Sequence, residues 1–247
     1  MKPFEYGYVV LQPLMLPLYG EIRRRLRTLV ETSGAPVSLL DVGGRKSHYT
    51  VGVPARVTIS DLPRESRMQH ALNLGINEEM IDQTKSRRSN VIDVVYDDMT
   101  QTKFPTRSFD GVVAVEVLEH VEDDASFVSN VSRVLRPGGF FLMTTPNGDN
   151  DPVPAEDHKR HYRKAELQEL LRGFFDDVRV DYAVVAGRWR TYGLQSWSIR
   201  HPVRTTRSML GNVVNRSQSM RSGTAEQVLG TKHLIGTARN QRGASSH

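Results

Sequence analysis

The chain has 247 residues, 38% hydrophobic and 25% charged, a size that fits one α/β domain with insertions or one domain with a small appendage. Cysteine is absent, which excludes disulfides, thiolate zinc sites and cysteine nucleophiles and leaves His, Asp and Glu as metal ligands. The net charge of +5 is uneven: from Arg188 onward there are ten Lys or Arg and one acid, Glu226, against 23 bases and 27 acids in the rest. A basic segment on an acidic body points to an anionic partner (a phosphorylated small molecule, nucleic acid or a membrane surface) or, more plainly, to solvated arginines on an exposed insertion.

In chain order, the uncharged run Tyr6–Gly20 resembles a signal core, but Pro13 and Pro17 interrupt it and no small-residue cleavage site follows. No apolar run is long enough to span a bilayer, so a cytoplasmic protein is expected. Leu18, Ile22, Leu26, Leu29 and Val30 recur at helical spacing, predicting an amphipathic helix over 15–32 and, with it, an N-terminal helical cap over 1–36. "VSLLDV" (37–42) is a short continuous apolar run, the signature of a strand buried on both faces of a parallel sheet. "RVTISD" (56–61), "VIDVVYDD" (91–98), "FDGVVAVE" (109–116) and "GFFLMTTP" (139–146) repeat it.

Helical patterns alternate with these strands: "ESRMQHALNL" and "NEEMIDQTKSRR" fill 65–88, and the segment from Glu122 sets Phe127, Val131, Val134 and Leu135 on one face. That last helix has acids in its first turn, Arg133 and Arg136 in its last, and Pro137-Gly138-Gly139 as its stop. "AELQELLRGFF" reads as a helix, 177–185 and 233–239 as strands, and 188–230 as a basic stretch of little periodicity inserted between those last two strands as a lid. The prediction is a doubly wound, seven-stranded, mostly parallel sheet with an antiparallel last strand, its domain formed by 37–187 and 231–247.

Ligands of such a sheet sit beyond the carboxyl ends of its strands, beside the first one. Asp41, Gly43 and Gly44 fall there, and the glycines let the backbone approach a ligand closely. Asp61 follows at the end of the next strand, where a carboxylate can accept from both ribose hydroxyls of an adenosine. This fits NAD as well as S-adenosylmethionine. The third glycine of a dinucleotide loop is replaced by "RKSH", and a ligand without pyrophosphate tolerates that looser turn. "YDDMT" adds Asp97 and Asp98 at the third strand's end.

With "FDGVVAVEVLEHV", "VLRPGG" and "TPN" following at their spacings, the chain resembles the class I S-adenosylmethionine-dependent methyltransferases, especially the small-molecule group that includes ubiquinone- and sugar-pathway enzymes. The resemblance covers roughly 37–185 and 233–239. It implies a Rossmann-like fold and S-adenosylmethionine as cofactor, with Asp41, Gly43 and Gly44 along the methionine portion and Asp61 on the ribose. Leu62 would pack on the adenine, Asp98 and Met99 would meet its edge, and Val115 and Glu116 would form the cofactor wall. Asp98 can equally be a turn-capping carboxylate, with Asp97 in its place.

Methyl transfer to a hydroxyl needs alignment and a base. His120 in "EVLEHV" and His158 and His161 in "EDHKRHY" are the candidate bases. Glu116, Glu119 and His120 also have the spacing that brings side chains together on one helical turn. His158 would complete a set suited to magnesium or zinc. This pattern resembles the metal-dependent methyltransferases of the 3′-terminal ribose of small RNAs. The plainer alternative makes "LEHV" a packing motif with Glu119 facing solvent, and the expectation is that no metal is bound. Arginines interleaved with Trp189, Tyr192 and Trp197 can grip an anionic, ring-bearing ligand or simply cover the site. The expected function is methyl transfer to a small molecule, with oxygen as the acceptor atom and a sugar or polyketide-like substrate, nucleotide-linked or otherwise anionic. The alternatives are a metal-assisted RNA ribose 2′-O-methyltransferase, an NAD-dependent oxidoreductase and a non-catalytic binder that keeps the fold.

Overall fold

A computed structural model describes residues 1–34, 36–44, 48–64, 75–221 and 223–240. Seven strands form one sheet: β1 (Val37–Val42), β2 (Ala55–Asp61), β3 (Val91–Tyr96), β4 (Phe109–Val115), β5 (Leu135–Pro146), β6 (Asp177–Val185) and β7 (Thr231–Arg239). Their spatial order is β3-β2-β1-β4-β5-β7-β6. The first five pair parallel to one another, and β7 runs antiparallel between β5 and β6. This is the predicted doubly wound sheet. The order reverses beside β1 and β4, which opens a crevice above their carboxyl ends.

Among the described residues, seven α-helices surround the sheet: α1 (Pro3–Leu11), α2 (Pro17–Ser33), α3 (Glu78–Arg87), α4 (Asp124–Val134), α5 (Lys164–Arg172), α6 (Arg188–Gly193) and α7 (Pro202–Ser219). The continuous apolar strands supply two cores, one per face. Leu18, Ile22, Leu26 and Val30 of α2 pack with Leu39, Ile59 and Val113 on one side. Phe127, Val131, Leu167 and Leu171 pack with Val112 and Phe141 on the other. Each such fully buried side chain contributes roughly 1.5–3 kcal/mol relative to exposure.

Three differences from the predicted elements stand out. The run Tyr6–Gly20 is not one segment: it holds most of α1, a 3-10 turn over Gln12–Leu14, and the start of α2, where Pro17 sits at N1. The helix from Asp124 stops at Val134, before Arg136, because Leu135 already pairs with Phe109 and Ser108 donates to the Val134 carbonyl at 2.8 Å. The sheet edge captures the chain two residues ahead of the Pro-Gly-Gly stop. Residues 188–230 contain α6 and α7 where little periodicity was visible. The predicted helix "ESRMQHALNL" lies outside the described residues, as do 45–47 of the glycine loop.

Candidate active site

The crevice side is built from strand ends. Asp41, the fifth residue of β1, is fully buried and accepts from the Tyr49 hydroxyl at 2.7 Å. Burial and the neighbouring carboxylate raise the Tyr49 phenol well above its ordinary value, so it stays a donor. Gly43 has φ +66° and a Cβ there would meet Val117 Cγ2 at 2.7 Å; a Cβ on Gly44 would collide with the Asp41 carboxylate. Glycine is therefore dictated by Asp41 and Val117 themselves, as well as by any ligand.

At the next strand ends, Asp61 Oδ1 accepts from the Leu62 amide at 2.8 Å, and Leu62 is exposed beyond it. Asp98 caps the 3-10 turn Met99–Gln101, accepting from the Thr100 amide and hydroxyl at 2.9 and 2.8 Å. Asp97 Oδ1 accepts from the Lys103 amide at 3.2 Å, while its Oδ2 is buried without a hydrogen-bond partner among the described residues. The structure thus gives Asp98 the turn-capping role and leaves Asp97 the oxygen that is unengaged. Met99 packs into the core with Leu40 and Phe109, so its side chain is not presented at the strand end.

Beyond β4 the chain makes an abrupt bend. Glu116 has φ +54°, a conformation that non-glycine residues rarely adopt. Its amide donates to the carbonyl and hydroxyl oxygens of Thr144, at 3.2 and 3.1 Å, which holds the bend. Its carboxylate accepts from Thr144 Oγ1 at 2.7 Å and from His233 Nδ1 at 3.2 Å. Arg190 Nη2 lies 3.0 Å from the opposite nitrogen, Nε2, of His233. Burial alone would raise the Glu116 carboxyl, but attraction to His233 and these hydrogen bonds hold it below its ordinary value. Burial and the Glu116 charge together raise the Tyr19 phenol.

Glu119 meets the opposite conditions. It sits in the 3-10 turn Leu118–His120, fully buried, and neither carboxylate oxygen has a hydrogen-bond partner among the described residues. Burial first, and repulsion from Glu116 second, push its carboxyl well above the ordinary range. The solvent-facing Glu119 of the packing alternative is overturned.

The predicted histidines converge beside it. One ligand atom from each of Glu119, His120 and His158 lies within 4.8 Å of the others. Glu116 does not join this set: its positive-φ bend turns the carboxylate toward Thr144 and His233, and a 3-10 turn replaces the α-helical turn that the spacing required. Because a carbonyl only accepts, a neutral His161 donates from Nδ1 to the Asp151 carbonyl at 2.7 Å and accepts at Nε2 from His158 Nδ1 at 2.8 Å. His158 Nε2 is left with a lone pair. His120 Nδ1 likewise donates to the Asp157 carbonyl at 3.0 Å. Burial, then the neighbouring His120, lowers the His158 imidazole below its ordinary value and favours the neutral ring.

The loop carrying these rings is fixed at several points. Asn147 is buried and donates to the carbonyl and hydroxyl oxygens of Thr231, at 3.2 and 3.0 Å. Asp149 accepts from the Lys164 amide and the Tyr182 hydroxyl. Arg160 and Tyr162 both donate to Asp124, and the Lys159 amide donates to the Glu119 carbonyl. Tyr19, Thr144, Arg190 and His233 were not singled out from the sequence. One signal was available for His233: the first residues of an antiparallel strand lie at the same sheet edge as the last residues of its parallel neighbours, and His233 pairs with Pro146.

Residues 51–143 match the family described as a methyltransferase domain. A probable S-adenosylmethionine-dependent methyltransferase of Mycolicibacterium smegmatis is 34% identical over 139 residues, covering 54% of this chain and 52% of that protein. A fatty-acid O-methyltransferase of the same organism is 31% identical over 141 residues, covering 56% of this chain and 50% of that protein. The chain spans about half the length of these curated relatives. Among solved structures, phosphoethanolamine N-methyltransferase 2 of Haemonchus contortus with S-adenosyl-L-methionine superposes with a TM-score of 0.57 at 15% identity, over 88% of this chain and 52% of that one. That likeness is one of fold.

Proposed function

From the premise that this chain belongs to the class I S-adenosylmethionine-dependent methyltransferase superfamily, we propose that it transfers the cofactor's methyl group to a small-molecule acceptor at oxygen. The observation that carries this reading is the row of carboxylates along one sheet edge, Asp41, Asp61 and Asp97/Asp98 at the ends of β1, β2 and β3, running up to the acid and histidine cluster beyond β4 and β5. The cofactor supplies a methyl group already activated on a sulfonium. Asp61 accepts from the ribose, and Leu62 covers the adenine. In the acceptor chamber, His158 Nε2 takes the hydroxyl proton as the new carbon–oxygen bond forms, and the chain from His161 to the Asp151 carbonyl fixes the required tautomer. Glu116 stays anionic there and favours the imidazolium that results. The acceptor enters under Tyr19 and Arg190. The match to a fatty-acid O-methyltransferase supports oxygen as the acceptor atom.

The test is calorimetry with S-adenosylhomocysteine and with NAD. Binding of the former alone, weakened about tenfold or more in Asp61→Ala through loss of a charge-assisted hydrogen bond, is expected. Preference for NAD, or no binding of either, overturns the proposal. Transfer from methyl-labelled cofactor by His158→Gln then tests the base.

A second reading is favoured by one observation: Glu119 is a fully buried carboxylate without a hydrogen-bond partner among the described residues, with a ligand atom of each of two imidazoles within 4.8 Å. Glu119, His120 and His158 would hold a divalent cation of the oxygen- and nitrogen-liking kind, magnesium, manganese or zinc. The cation would deprotonate Glu119 and bind the acceptor hydroxyl in place of a free base. Thermal melts with each ion separate the two readings without turnover. Stabilisation of the wild type that Glu119→Gln abolishes supports the metal, and unchanged melts exclude it.

A further inference from the structure

Helix α7 is inside out. The side chains it buries are Ser208, Gly211, Asn212 and Asn215, and those it exposes along the opposite face are apolar. Val203, Thr206, Leu210, Val213, Ser217 and Met220 recur every three or four residues and are all exposed, the four apolar ones at 81, 57, 42 and 70%. Residues so spaced line one side of a helix. Ile199, just before the helix, is fully exposed.

The orientation is fixed by the polar side. Asn212 Nδ2 donates to the Leu14 carbonyl at 2.9 Å, Asn215 Nδ2 to the Val185 carbonyl at 2.6 Å, and Ser208 Oγ to the Gly193 carbonyl at 3.0 Å. Gly211 lies against the Trp189 carbonyl, where a Cβ would come within 2.8 Å. Turning the apolar seam inward would strand both amides and drive backbone into backbone. The seam therefore faces outward as a built feature of the lid, and an exposed apolar stripe of this length marks an interaction surface.

Charge selects the partner. From Tyr182 to Ala225 there are seven arginines and no acid. Arg207 borders the seam, its guanidinium 3.6 Å over the Tyr192 ring, while the exposed Arg204 stands at the start of the opposite row, with Arg200 ahead of the helix and Arg221 beyond it. At the far end, Met220 and Arg221 border a cavity of about 490 Å³ that Glu21 and Arg216 also line, the buried Arg216 Nη1 having no hydrogen-bond partner among the described residues. The Gln12–Leu14 turn packs on the polar face of α7, and the adjoining α1 also exposes apolar side chains, Tyr6 and Val10, at 60 and 75%. A second copy of α7 would set arginine against arginine. A continuous anionic, apolar medium satisfies both halves of the pattern.

We propose that α7 docks this protein in the interface of an anionic lipid bilayer, its aliphatic seam in the acyl boundary and its arginines on the headgroups. The inference does not depend on the transfer chemistry, because binding is read without cofactor or acceptor. The test is flotation of the full chain with phosphatidylcholine vesicles, with and without phosphatidylglycerol. Partitioning at least about tenfold stronger on the anionic vesicles and weakening with added salt is expected. The double variant Leu210→Asp with Val213→Asp should lose about tenfold or more of it, and Arg204→Glu a smaller part. Both changes lie on exposed positions, so unchanged thermal melts will confirm intact folding.

Equal binding to neutral and anionic vesicles, or none, overturns the proposal, as does full binding by the aspartate variants. A dimer in sedimentation that Leu210→Asp dissolves, or capture of an acidic protein without vesicle binding, assigns the seam to another occupant and overturns it too.

Discussion

Glu116 and Glu119 follow the same strand, three residues apart, and the fold treats their carboxylates in opposite ways. Glu116 is bent into positive φ and surrounded by donors, so it stays ionised although it is partly buried. Glu119 is sealed in with no hydrogen-bond partner for either oxygen among the described residues and faces the charge of Glu116, and burial and that charge push its carboxyl well above the ordinary range. Two titratable groups pushed apart by their surroundings are the mark of divided acid and base roles. One carboxyl is held below its ordinary value on the β7 and α6 side; the other is pushed well above it on the histidine-loop side. The difference lies in the neighbours, since the residue type and the strand are the same.

The contrast can be broken at either end. Glu116→Gln removes the anion while keeping the shape, and methyl transfer should fall on the order of a hundredfold, the usual cost of losing one preorganised electrostatic contact. The same change removes the repulsion on Glu119. Turnover of labelled cofactor measures the first effect.

Glu119→Gln acts on stability. A carboxyl whose folded value is raised contributes stability that is complete below its ordinary value of 4.5 and is lost as pH rises through the folded value. The glutamine variant should therefore match wild type in the acid range and exceed it by about 1–2 kcal/mol under mildly alkaline conditions. In a Glu116→Gln background that gain should shrink. Paired thermal melts across pH read both.

The His158 effect is smaller and opposite in sign. Its lowered imidazole leaves stability intact above the ordinary value of 6.5 and loses it as pH drops through the folded value. Wild type should lose about 1 kcal/mol or less relative to His158→Gln over that interval, since the ring is only partly shielded. Smallest of all, Arg190→Gln frees His233 Nε2 without touching Glu116, and transfer should change by about threefold or less. A loss as large as that of Glu116→Gln would make Arg190 part of the acceptor contact itself.

The strands were legible because a sheet covered on both faces demands continuous apolar runs, and "VSLLDV" and "FDGVVAV" have few other ways to be satisfied. Asp41, Asp61 and the Asp97-Asp98 pair could be placed for the same reason: they end those runs. The three histidines could be named as a group because they lie in two short loops beyond adjacent strands. Helix α7 was not legible, because its buried face is Ser, Gly and Asn and its apolar residues point outward, which disguises the periodicity.

By itself, then, the sequence determined the doubly wound sheet, the edge at which chemistry gathers and the family whose motifs it carries. These depend on local pattern, which hydrophobic burial and strand geometry read residue by residue. Only the tertiary structure decided that Glu116 leaves the Glu119–His120–His158 set for His233, that Arg190 reaches that histidine from α6, and which carboxyl is pushed up and which is held down. Those outcomes depend on residues more than forty positions apart meeting across an antiparallel strand, and on how much water their meeting excludes.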